Sequence, residues 1–261
     1  VLRLDGCCFH TFSVGFRKPF DARISDSMVA TAANLMQRLQ ASAAYTESDE
    51  ISLFFPQLRE LPYNGRVQKL ASVAAGYASA RFNKHMRAQS FDEAVPAERD
   101  LRCKVDEMEA HFDARLVALP DAGKLVDYMR WRALMDCRRN SISMLAQSHF
   151  NSSRLHGKDN RTMLRMLREE RGVDWDQEDP RFCFGVYLKR EKFAIEGRNP
   201  LTNETVVAWR TRITPRAFEF DPSGGAGFLL DQFWDSAHVH PPGRGEQLDT
   251  GADHGCEQDS G

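Results

Sequence analysis

Apolar positions recur along this chain in two rhythms, a period of two and a period of 3.6, and the two alternate. The opening VLRLDG reads as a strand over residues 1–5, ends on Asp5 and breaks at Gly6. A loop with Gly15 and Pro19 follows to about Arg23. In ISDSMVATAANLMQRLQAS, Met28, Ala32, Leu35, Met36 and Leu39 have helical spacing, with Ser25 or Asp26 as the cap. AAYTESDEISLFF alternates around a turn-prone Glu47-Ser48-Asp49 and predicts a hairpin or bent strand pair. A helix is predicted over GRVQKLASVAAGYASARFNKHM and a strand over AHFDARLVALP. The order strand, helix, strand pair, helix, strand is β-α-β-β-α-β, the split ferredoxin-like arrangement of an α+β protein.

The later pattern adds helices and a last hairpin. Residues 121–150 predict one long helix or two, with Leu125, Tyr128, Leu134, Ile142 and Leu145 on the apolar face. Asp159 or Asn160 caps a further helix to about Glu170, and an acidic turn spans Asp174–Asp179. RFCFGVYLKRE and ETVVAWRTRI predict two paired strands, packed beside the first unit. Three regions are expected: a catalytic core over 1–118, a helical region with the hairpin over 119–240, and a disordered tail over 241–261 rich in Gly and Asp. His238 and His240 lack companion ligands, and chance explains their H-x-H spacing.

Composition narrows the class. The 261 residues are 42% hydrophobic and 28% charged, as in globular proteins. No run of about 18 apolar residues exists, so no membrane partner is expected. The start reads as mid-strand without a basic leader, so the natural chain is expected to begin further upstream. Six cysteines (Cys7, Cys8, Cys103, Cys137, Cys183 and Cys256) form no metal-ligand spacing. They fit a reducing, intracellular setting, cytoplasmic or mitochondrial. The net charge of −2 conceals a basic stretch. Residues 124–171 hold eleven Lys/Arg against five Asp/Glu, a surplus that suits a polyanionic partner.

Two carboxylates stand where strands end. Asp5 closes the first strand and Asp49 sits at the hairpin bend, so neighbouring strands bring them together. Unpaired, they repel and resist burial; a divalent cation with hard oxygen ligands relieves both costs. Two such ions about 3.5–4 Å apart support phosphoryl transfer. Gly6 lets a triphosphate approach the backbone. On residue type alone Asp5-Gly6 is a turn and Ser48-Asp49 a cap, and the longer strings decide between the readings.

LRLDG, Phe9-His10, KP with Asp21 two residues on, SDE at Ser48–Glu50, FDARLV at Phe112–Val117 and DYMRWRALMDCRRNS at Asp127–Ser141 occur in a set order and spacing. Together they resemble the tRNA-His guanylyltransferase superfamily of 3′-to-5′ polymerases, over residues 1 to about 210. Arg138, Arg139, Asn140 and Ser141 stand where members specific for histidine tRNA carry His-Ile-Asn-Asn. With HFNSSRLHGK after them, this is closer to the guanylyltransferase-like branch that repairs 5′-truncated tRNAs. Cys7-Cys8 departs from the family's Arg and small residue.

The resemblance implies a polymerase-palm-like core and a tRNA 5′ end activated with ATP or GTP. The 3′-hydroxyl of an incoming GTP or other NTP then attacks that end. It implies two Mg²⁺ ions on Asp5, Asp49 and the Gly6 carbonyl, with Glu50 a supporting acid. Phe9, His10, Lys18, Asp21, Ser48, Arg66 and Lys69 are implied on nucleotide. The basic stretch, through Arg130, Arg132, Arg138, Arg139, Asn140 and Lys158, would face tRNA. A homotetramer is implied as well. Two other readings share the fold: a tRNA-binding protein of weak activity, and a palm-domain nucleotide cyclase, which lacks its signature loop here.

Overall fold

A computed structural model describes residues 1–56, 61–198, 201, 203 and 205–234. Six strands form one antiparallel sheet: β1 (Leu2–Gly6), β2 (Ala43–Glu47), β3 (Glu50–Phe54), β4 (Phe112–Leu116), β5 (Val186–Arg198) and β6 (Thr205–Arg216). Their order across the sheet is β4-β1-β3-β2-β5-β6. The expected tail beyond residue 240, with His240, and also His238, lie outside the described residues.

Strand alternation sorts the two faces. One face carries Leu2 and Leu4 of β1, Ile51 and Leu53 of β3, Ala44 of β2 and Phe112 of β4, all buried. After the short α1 (Phe9–Phe12), α2 (Ala22–Leu39) and α3 (Val67–Arg87) pack against it through Met28, Leu35, Leu39, Leu70, Ala74 and Phe82. Small residues at Ala74 and Ala78 admit close helix–sheet approach. Asp21 starts α2 by accepting the Arg23 N–H, a cap four residues earlier than Ser25.

The opposite face is divided. Ala43, Tyr45, Phe54 and Tyr187 are covered by α5 (Ala122–Met129) and the segment after it, through Leu125, Met129 and Ala133. The same face at the other end of the strands is acidic. From Ala122 the chain stays helical through a π-type turn over Arg130–Cys137 into α6 (Arg138–His149). The long helix of the sequence pattern is therefore one rod with a locally widened middle. After the short α7 (Ser152–Leu155), Asp159 caps α8 (Asn160–Met166) through the Thr162 N–H, as expected.

Three expectations change. RFCF is not strand: Asp179 caps, and Pro180 opens, the short helix α9 (Pro180–Phe184), so β5 begins only at Val186. The last hairpin does not pack beside the sheet. It extends the sheet, with Ala44, Tyr45 and Thr46 of β2 in register with Leu188, Tyr187 and Val186. Beyond Leu188, β5 and β6 pair with each other, with one further bridge from Arg190 to Phe233, and continue as a two-stranded arm. A helix not foreseen, α4 (Pro96–Asp106), lies between α3 and β4 with only Leu101 and Val105 buried.

Candidate active site

The acidic end of the sheet is built by register. Asp5 of β1 is paired with Glu50 of β3 on one side and Asp113 of β4 on the other; Glu50 is paired with Glu47 of β2. Residues directly opposite share a face, so four carboxylates cross the sheet in a row. Ser48 and Asp49 form the β2–β3 turn beside them, Ser48 with a φ of 50°. The Asp49 carbonyl accepts the Gly6 N–H at 3.0 Å, which fixes the turn over the end of β1.

Like charges so close must be compensated. Arg3, two residues before Asp5 and on its face, donates to Asp5 Oδ2 at 3.0 Å and Glu50 Oε2 at 3.0 Å, and also contacts Glu50 Oε1. Arg132 reaches Glu50 at 3.2 Å and Asp136 at 2.7 Å; Arg139 reaches Asp136 at 2.9 Å. Arg115 pairs with Asp113 at 3.1 Å. Asp5, Arg3, Glu50, Arg132, Asp136 and Arg139 thus form an unbroken chain of alternating charge.

Compensation is incomplete at the two strand-end acids. Burial, then Glu50 and Asp113, raise the Asp5 carboxyl above its usual range, against the pull of Arg3. Burial and the nearby Asp5 and Glu50 raise Asp49, against local hydrogen bonds. Glu47 is 5% exposed and is pushed well up by burial, then by Glu50, Asp49 and Asp136. Its Oε1 has no hydrogen-bond partner.

The donor set fits a hard divalent cation of the magnesium kind. Asp5 and Asp49 supply carboxylate oxygens, both held above their relaxed range, and Gly6 offers a backbone carbonyl; phosphates and water would complete the shell. Among the described residues no three His, Cys, Asp or Glu side chains gather into a protein-only metal cage. Glu50 is already engaged by two arginines and supports the acids around it.

The remaining expected residues are spread more widely. Phe9 is not available to a nucleotide: it is buried among Phe12, Phe82 and Phe112, with ring centroids 5.1–5.3 Å apart. A Cβ on Gly6 would lie 2.4 Å from the Phe9 ring, so this glycine makes room for core. His10 is exposed one residue on, its Nε2 3.1 Å from Thr11 Oγ1. Lys18 is exposed in the loop before α2. Asp21 turns inward, where Arg23 donates three bonds to its two oxygens and the Arg17 N–H a fourth. Burial would raise this carboxyl, but those bonds lower it.

Arg66 and Lys69 stand exposed where α3 begins, Lys69 over the Tyr63 ring at 5.4 Å. The structure does not bring them to the acids. β3 starts at the acidic end and leaves at the other, so α3 must begin far away. Ser79, bonded to the Phe112 N–H at the acidic end, lies thirteen residues beyond Arg66, about 20 Å along the helix.

Of the six residues assigned to tRNA, Arg132 is a correction. Tyr128, Arg132 and Asp136 form an i, i+4 stripe on the sheet side of the rod, so Arg132 points into the acids. Arg130 and Arg139 are more than half exposed and Lys158 is exposed. Arg138 is partly exposed, 4.6 Å above the Trp175 ring, and Asn140 lies beside Arg139. The sequence reading missed Arg3, Glu47, Asp113 and Asp136. Period two from Asp5 would have found Arg3, and the i, i+4 spacing from Arg132 would have found Asp136.

Comparison with known proteins identifies the family. The family model Thg1, tRNAHis guanylyltransferase, matches residues 1–120, the segment carrying Asp5, Asp49, Glu50 and Asp113. The tRNA(His) guanylyltransferase of Debaryomyces hansenii is 28% identical over 204 residues, covering 73% of each chain. A bacterial tRNA(His) guanylyltransferase (Thg1)-like protein solved with ATP superposes with a TM-score of 0.61 at 30% identity, over 72% of this chain and 77% of its own. One solved with GTP superposes with a TM-score of 0.53 at 26% identity, over 80% and 79%. The chain belongs to the tRNAHis guanylyltransferase (Thg1) family of nucleotidyltransferases.

Proposed function

We propose that this protein is a Mg²⁺-dependent 3′-to-5′ nucleotidyltransferase that adds GTP or another NTP to the 5′ end of tRNA, in the manner of templated 5′-end repair. The observation that carries the reading is the pair Asp5 and Asp49, brought to one sheet end and both held above the usual carboxylate range by burial and by neighbouring acids, Glu50 beside Asp5 and Asp5 beside Asp49. The strand order β4-β1-β3-β2 with α2 and α3 on one face supports a palm-like split β-α-β-β-α-β core. Similar proteins solved with ATP and with GTP support nucleoside triphosphates as its substrates.

Divalent ions bound here supply activation of the attacking hydroxyl and stabilisation of the leaving oxygen. Asp5, Asp49 and the Gly6 carbonyl would hold them. Arg3 and Arg132 fix Glu50 and, through it, the orientation of the acid row. Ser48 orients Asp49 within the turn. His10 and Lys18, exposed on the chain that leaves β1, would meet the triphosphate. The exposed cations Arg130, Arg139 and Lys158 would position tRNA phosphates without reading sequence. Arg66 and Lys69 lie too far away to serve the acids of their own chain. A homo-oligomer, tetrameric by resemblance, offers them to a neighbouring copy.

The test uses labelled 5′-monophosphorylated tRNA, intact and lacking its first nucleotide, with Mg²⁺, ATP and each NTP in turn. The expected result is addition to the truncated tRNA of the nucleotide that pairs with its template. Single G addition to intact histidine tRNA alone would place the protein with the tRNA(His) enzymes. Binding without incorporation would favour a tRNA-binding protein of weak activity.

A further inference from the structure

Arg3 has a place in this site that neither the family reading nor the two-acid constellation requires. Its side chain is only 12% exposed, although it sits on the polar face of an otherwise apolar strand. Its guanidinium bridges Asp5 Oδ2 and both oxygens of Glu50. A buried guanidinium in a forked contact between two carboxylates does what a divalent cation does there: it cancels their repulsion.

Charge counting extends the point. Around the row, Asp5, Asp49, Glu50, Asp113 and Asp136 face Arg3, Arg115, Arg132 and Arg139. Five acids against four bases leave the site nearly neutral. Glu47, buried at the end of the row and with no hydrogen-bond partner for its Oε1, stands apart from these ion pairs. A free divalent ion entering such a site must displace Arg3 from Asp5, or accept a positively overcharged surrounding. A triphosphate, with about four negative charges, removes that excess and supplies further oxygen ligands.

We propose that Arg3 is an internal counter-ion that holds Asp5 and Glu50 in the place of a cation, so that divalent metal and nucleoside triphosphate bind interdependently. This rests on the reading of Asp5 and Asp49 as metal ligands. Arg3 is a positioning residue that acts through both acids. Its effect is to keep the acids ordered between turnovers and to disfavour a metal ion that arrives without its nucleotide.

The experiment titrates Mn²⁺ into the protein, following free ion by electron paramagnetic resonance, with and without guanosine 5′-(β,γ-imido)triphosphate. Wild type is expected to bind Mn²⁺ weakly alone and much more tightly with the nucleotide. In Arg3→Gln, affinity for Mn²⁺ alone should rise on the order of tenfold, the effect of removing one nearby unit charge, and the gain from nucleotide should shrink. Arg3→Lys keeps the charge but loses the fork, and a two- to threefold rise is expected. This variant carries the test if Arg3→Gln loses its circular dichroism spectrum. Unchanged or weaker Mn²⁺ binding in the folded variant overturns the counter-ion role alone. Wild type that binds no Mn²⁺ even with nucleotide overturns the metal site and this proposal with it.

Discussion

Asp49 and Asp5 are held against their own chemistry. Burial raises both carboxyls, and neighbouring acids add to it, Glu50 and Asp113 at Asp5 and Asp5 and Glu50 at Asp49. A carboxyl whose folded pKa lies above its unfolded value stabilises the fold while protonated. That contribution disappears as pH rises from about 4 through the raised value. Without divalent ions, the protein should therefore lose stability over that window. Asp49→Asn cannot ionise, and should raise the metal-free melting temperature at pH 7 by a few degrees while leaving it little changed near pH 4. Differential scanning calorimetry in EDTA reads this directly. An equal melting temperature for both proteins at both values would show that Asp49 is not strained. Stability is thus given up at the two acids proposed to hold metal, a pattern expected of functional sites.

Individual elements differ in how far their sequences disclosed them. β1, the β2–β3 hairpin, α3 and β4 were legible because apolar period and element agree: Leu2 and Leu4 face α2 and α3, while Asp5 ends up on the other side. α4 was not legible, because a short and very polar helix that buries only Leu101 and Val105, four residues apart, reads as a solvated segment. α9 was hidden by its own composition: RFCFGVY is rich in β-formers, and the decisive signal was the Asp179-Pro180 start. In the site, Asp5 and Asp49 could be found from strand ends. Arg3 could not, since an Arg between two Leu residues looks like an ordinary solvent-facing position. Phe9 was misplaced because the resemblance marks a position, whereas the ring's packing against Gly6 decides its direction.

The rod of α5, its π-type turn and α6 has two faces, and these make opposite predictions. Arg132 is partnered by Glu50 and Asp136. Arg132→Ala would leave both acids without that charge and should destabilise the fold by about 3 kcal/mol, measured by urea unfolding. Arg130 is exposed, with Asp127 3.8 Å away. Arg130→Ala should leave stability within about 0.5 kcal/mol. It should instead lower the slope of log affinity for tRNA against log salt by about one, the loss of one phosphate contact. If Arg132→Ala weakened tRNA binding with stability intact, the inward assignment of Arg132 would be wrong.

At the scale of the whole molecule, one sheet performs two tasks. Its apolar face and the covered half of the other face hold the chain together through two hydrophobic clusters. The uncovered half carries the acid row, and β5 and β6 continue the sheet into a projecting arm. No helix among the described residues is long and apolar enough to cross a membrane. The central claim is that nucleotidyl transfer occurs at the end of this sheet, at Asp5 and Asp49. The most direct measurement is single-turnover addition to a 5′-triphosphorylated, truncated tRNA, which needs no activation step. It compares wild type with Asp49→Asn in Mg²⁺, with tRNA affinity measured alongside. Loss of addition by about a thousandfold or more, with affinity within about threefold, is the predicted result. Addition by Asp49→Asn at the wild-type rate would contradict the account.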